Sequence, residues 1–181
     1  MKLFAIPAVV AVVALGAVTS SGRAQTPPVS LQAETLKDWS SLKTTLHRIA
    51  AEMPAEKYTY RPTAGQQTFG ERVVHIANVN VALLSALDDG TTSKPAIDGK
   101  DAAKDKALKA LDDSFEYGAA LLQKQSDATL LQPVASAPKF LGPSSRVRLV
   151  TFVAGHAWDI YGQLAVYLRL NGLVPPASQR M

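Results

Sequence analysis

The stretch Gly155–Ser178, GHAWDIYGQLAVYLRLNGLVPPAS, decides the fold. It extends an apolar pattern that starts near Ser145, in which Leu149, Phe152, Val153, His156, Ile160, Leu164 and Tyr167 share one face at helical spacing. Gly172 and then Pro175-Pro176 stop the run, as glycine and proline do at a helix C-terminus. The spacing predicts a helix from about Ser145 to Asn171, with His156 pointing inward.

Three further segments carry the same period, and no segment alternates as a strand would. The first runs from about Ser30 to Met53, with Trp39, Leu42, Leu46, Ile49 and Met53 in one stripe and Pro54 as its stop. The second starts at Thr68, which with Glu71 forms a Thr-x-x-Glu capping box, and runs to about Leu87. The third spans about Asp101 to Gln125, with Leu108, Leu111, Phe115, Ala119 and Leu122 on its apolar side. Four single-striped helices of this length bury their stripes most simply as an all-α four-helix bundle. The first two connections are short enough to join antiparallel neighbours. The third, Ser126 to Ser145, is long and contains three prolines, which suits a packed cover or a functional loop.

Ahead of the bundle, Met1-Lys2 precedes an apolar run from Leu3 to Val18 and a small, polar exit ending at Ala24. That order describes a secretory signal peptide, residues 1–24, leaving a domain over 25–181. The run is shorter than the roughly 20 residues that span a bilayer, so no stable anchor is expected after cleavage, and the destination read from it is the periplasm. Without Lys2 and Arg23, the 19 basic residues fall to 17 against 15 acidic ones. This near balance, with no basic cluster interleaved with aromatics, argues against nucleic acid as a partner. The chain has no cysteine, so disulfides and lipid attachment through a thiol are excluded and the core alone must hold the fold.

Of three histidines, His47 lies off the stripe of the first helix and reads as a surface residue. His75, on the second helix, shares a face with Arg72, Asn78, Val79 and Ala82 and borders Val73, Ile76 and Leu83. That mixed company suits the mouth of a pocket. Two imidazoles on separate helices of a bundle raise a metal site, because bundle cores recruit ligands from facing helices. Read singly, each is as well explained as a hydrogen-bonded core histidine.

Several motifs resemble those of the DinB family of four-helix bundles, also described as YfiT-like metalloenzymes. They are Tyr60-Arg61-Pro62, Thr68-Phe69-Gly70-Glu71, His75-Ile76-Ala77, His156-Ala157-Trp158-Asp159, Tyr161-Gly162-Gln163, Tyr167-Leu168-Arg169 and Asn171-Gly172, closing with Val174 to Ser178. The resemblance implies a divalent metal, commonly zinc or nickel, held by one histidine of the second helix and a His-x-x-x-His pair of the fourth. His75 matches the first ligand and His156 the second. The third falls on Ile160, which has no lone pair to give. Asp159 is the candidate substitute, although positions i+3 and i+4 point about 100° apart, and relatives with an intact triad carry an acid there as well. Asn78, Ile160 and Tyr161 are the expected pocket residues.

Two functions compete at this point. One is an exported DinB-like domain with an incomplete histidine metal site and an unidentified small-molecule ligand. The other is a divalent-metal-dependent transferase or hydrolase that uses His75 and His156 with Asp159. No catalytic residue can be named, because no Ser-His-Asp set, phosphate loop or dinucleotide fingerprint is present. The resemblance further implies pairing as a homodimer.

Overall fold

A computed structural model describes residues 29–179. The expected signal peptide, its cleavage after Ala24 and the first residues of the mature domain lie outside the described residues. Four long helices make up the body: α1 (Leu31–Glu52), α2 (Phe69–Leu84), α3 (Lys104–Gln123) and α5 (Arg146–Leu170), with a single turn, α4 (Asp127–Leu130), between the last two. Among the described residues, no helix is long and apolar enough to cross a membrane.

Local chemistry sets the helix ends. Ser30 caps α1 and Ser145 caps α5 through side chains that accept backbone N–H groups, and the Thr68/Glu71 capping box forms in full at the start of α2. Helix α3 begins three residues later than the pattern predicts, because Asp101 accepts the amide of Ala103 and holds that segment as a turn. The last turn expected of α2 is a 3₁₀ turn, Ser85–Leu87.

Packing is cyclic. α1 lies against α3 and α5, and α2 lies against the same two, so α1 and α2 face each other across the diagonal. The pairs Trp39 with Phe115 and Lys104 with the Ala51 carbonyl run in opposite directions, so α1 and α3 are antiparallel. Asn80 bonds Ser114 and Tyr117 bonds Asp88, whereas Gly70 abuts Ala102, so α2 and α3 are parallel. This corrects the expectation that the first two connections join antiparallel neighbours. The 85–103 segment returns along the length of α2. A helix of 16 residues is about 24 Å long, well within the reach of an extended chain of that size.

The predicted stripe of α1 is fully inside: Trp39, Leu42, Leu46, Ile49 and Met53 are each at most 2% exposed. On α5 the inward face holds except at Phe152. Its ring is turned out and rests on Phe140 of the preceding loop, centroids 5.5 Å apart. That loop is a packed cover, with Leu130 and Val134 buried and α4 tied to the start of α1 through Asp127, which accepts from Ser30 and the Gln32 amide.

Helices α1 and α3 approach closely at Gly118 of α3. A Cβ there would stand 2.5 Å from Cζ2 and 2.8 Å from Cε2 of the buried Trp39 ring. Gly118→Ala should therefore destabilise the bundle by about 1–3 kcal/mol through overpacking. Gly155→Ala on α5, where a Cβ meets nothing within 4 Å, should stabilise it by about 0.5–1 kcal/mol through helix propensity. Urea denaturation of the two variants should move in opposite directions, and equal shifts of one sign would contradict this packing.

Candidate functional site

The site is assembled by the docking of α2 on α5. Phe69 at the start of α2 and Tyr60 just before it pack their rings on Tyr167 near the end of α5, at centroid distances of 6.3 and 6.1 Å. The Tyr167 hydroxyl donates to the Gln67 carbonyl at 2.8 Å. These contacts fix the axial register of an antiparallel pair. With Val73, Ile76, Ala77, Val153 and Ala157 buried between and around the two helices, that register sets His75 opposite His156.

The outcome is direct contact. His75 Nε2 and His156 Nε2 are 3.1 Å apart, with ring centroids at 5.0 Å and planes inclined by 63°. A hydrogen bond at that distance needs one bare and one protonated nitrogen, so the accepting ring is neutral, and burial disfavours a charge on the donor ring as well. The remaining ring nitrogen of His156, Nδ1, is buried with no partner. If His156 Nε2 accepted the shared proton, Nδ1 would carry a buried N–H without an acceptor. Orphaned N–H groups are rarer in proteins than under-used acceptors. The proton therefore belongs on His156 Nε2, and His75 accepts it while keeping its own proton on Nδ1.

Both rings are held below the usual histidine range. For His75 the causes are burial and then the Arg72 charge. For His156 they are burial, then the neighbouring His75, with Arg72 adding to the effect and Asp159 opposing it. Arg72 sits three residues before His75, is half-buried, and has a buried Nε without a partner.

His75 and Asn78 open onto a polar pocket of about 380 Å³ that is also lined by Arg61, Gln66, Gln67 and Glu71. Two of the residues expected at the site are thus at one mouth. Tyr161 is elsewhere, its ring edge-on to Trp158 at 5.5 Å. Ile160 is in the core at 2% exposure. Asp159 is exposed and accepts from Gln163 Nε2 at 2.8 Å. His47 is half-exposed and paired with Asp112 of α3, Nδ1 to Oδ1 at 3.0 Å, away from the other two. The roles of Arg61, Glu71 and the glutamines as pocket lining were not read from sequence. The only available signal was the i, i+4, i+7 spacing of Glu71, His75 and Asn78.

Two ligands on one zinc ion at about 2.0–2.1 Å and a tetrahedral angle stand about 3.3–3.4 Å apart, so the imidazole separation itself suits a shared ion. The remainder of the donor set does not. Among the described residues, no three His, Cys, Asp or Glu side chains are grouped to hold a metal. Coordination through His156 Nε2 would place a proton on its buried, partnerless Nδ1, where ligating histidines almost always have an acceptor. Arg72 adds a positive charge near both rings.

A comparison with family models matches residues 39–164 to the DinB superfamily. Among solved structures, the chain is similar to a DinB-like protein from Bacillus cereus, with a TM-score of 0.70 at 17% identity over 81% of this chain and 96% of that one. It is also similar to a DinB-like protein from Bacillus subtilis, with a TM-score of 0.62 at 18% identity over 82% and 99% of the two chains. At these identities the likeness is one of fold. No curated protein matches. With the family model covering more than half of its length, and with the bundle those relatives share, the chain belongs to the DinB superfamily.

Proposed function

We propose that this chain is an exported DinB-like domain whose histidine pair is an incomplete metal centre, retained as a neutral hydrogen-bonded couple, and that it acts by binding a small molecule at the adjoining pocket. The observation that carries this reading is the 3.1 Å contact between the two Nε2 atoms with His156 Nδ1 left unpartnered. Each ring already spends its facing nitrogen on the other. A metal would have to break that bond and force a buried N–H that nothing accepts.

Ile160 supports the same reading. Its side chain is buried in the core one turn after His156, at the position where the family resemblance implies a third imidazole. Export is inferred from the Met1–Ala24 pattern and points to the periplasm.

The competing reading is a zinc- or nickel-dependent transferase or hydrolase. What favours it is the imidazole separation, within a few tenths of an ångström of that for two ligands on one ion. It also requires Asp159 to leave Gln163 and turn by about 100° around the helix axis.

Metal content after reconstitution separates the two. Ile160→His should bind close to one equivalent of zinc or nickel, while the native protein should bind at least about 10-fold more weakly, as expected for a lost ligand. Equal, stoichiometric binding by both would overturn the proposal, and loss of that binding in Asp159→Ala would install the competitor.

The neutral couple also predicts a pH dependence. In the folded state both rings bind protons less readily than at the usual 6.5, so the unfolded chain takes up more protons as acidity rises. The stability that the couple contributes is complete above about pH 6.5 and is lost as pH falls through the depressed folded-state range. Chemical denaturation between pH 8 and 5 should show this fall, and His75→Gln should flatten it. An unchanged slope in that variant would mean the pair is not the group being titrated.

A further inference from the structure

Both tryptophans of this chain line a single groove. It runs between α1 and α5, has a volume of about 490 Å³, and includes neither His75 nor His156. Trp39, 2% exposed, forms its floor with the buried Leu42 and Val150. That indole is fixed in place: its Nε1–H donates to the Phe115 carbonyl at 2.9 Å, and its ring packs on Phe115 with centroids 4.5 Å apart. Trp158, 48% exposed, forms a wall, and Tyr161 rests edge-on against it at 5.5 Å. Gly155 keeps the α5 side open, since a Cβ there would meet nothing within 4 Å. A glycine inside a helix lowers its stability, so the opening is kept at a cost. Asp38 is the only charged residue in the lining, and among the described residues it forms no ion pair.

We propose that this groove is a second ligand site, for a small organic cation: an ammonium group carried on an apolar or aromatic body. The two indoles and the aliphatic floor supply flat apolar surface for the body. The negative face of an aromatic ring attracts an ammonium more than it attracts a neutral group of the same shape. Asp38 supplies the counter-charge at the rim. With no lysine, arginine or histidine in the lining, an anionic ligand would have nothing to pair with and would meet that carboxylate. Apolar walls with one placed charge are the ordinary make-up of a small-molecule site. The groove and the histidine couple share no residue, so the two readings stand or fall separately.

The test titrates the purified protein near neutral pH with benzyltrimethylammonium, benzyl alcohol and benzoate, three probes that share a ring and differ in charge. Tryptophan fluorescence follows binding, because Trp158 is at the surface of the groove. Saturable binding is expected in the order cation, neutral alcohol, anion. Asp38→Asn should weaken the cation about 3- to 5-fold, the size expected of a half-exposed charge pair, and leave benzyl alcohol unchanged. Gly155→Leu puts a side chain into the groove and should abolish binding of all three, with circular dichroism as the fold control. No saturation by the cation, equal affinity for all three probes, or cation binding unchanged in both variants overturns the assignment. Sedimentation of the native protein and Gly155→Leu should give the same mass. A dimer that Gly155→Leu breaks would make this face a contact between copies of the chain and would likewise overturn the ligand site.

Discussion

Antiparallel docking of α2 on α5 is the constraint from which the site follows. The ring cluster of Tyr60, Phe69 and Tyr167 and the hydrogen bond from Tyr167 to the Gln67 carbonyl pin the two helices at one end. Apolar side chains then carry that register along the interface to His75 and His156. Were α5 to slip by one turn, about 5.4 Å, the imidazoles would lose each other. The fold thus supplies the approach of the two nitrogens, and the side chains around them decide its use.

Those side chains favour neutrality. Burial disfavours charge on either ring, and Arg72 disfavours it further. Asp159 pulls the other way on His156, but its carboxylate is in solvent and bonded to Gln163. Ile160, one turn after His156, is buried and has no side-chain polar atom to offer either ring. A site with these properties favours a proton shared between two neutral rings.

The helices were legible in the sequence because each carries a single stripe and a recognisable cap. Trp39 to Met53, the Thr68/Glu71 box and the Ser145 cap are local signals, and all appear in the structure. Helix order around the bundle was not legible. Connection length permits a diagonal as readily as a neighbour, and only side-chain fit, such as Gly118 under Trp39, chooses between them. Phe152 shows the same limit on a smaller scale. Its spacing places it near the inward face, yet the ring finds Phe140 outside. At the site, the inward-facing histidines could be read from periodicity and resemblance. The bond between them depends on tertiary register, which belongs to no single segment.

The account stands on a shared proton carried by His156 Nε2 and accepted by His75 Nε2. Histidine-selective ¹⁵N NMR near neutral pH measures this directly. Two neutral rings of opposite tautomer, protonated at Nδ1 in His75 and at Nε2 in His156, with a nitrogen–nitrogen coupling across the bond, are the predicted result. Both rings in the same tautomer with fast solvent exchange and no coupling would contradict it.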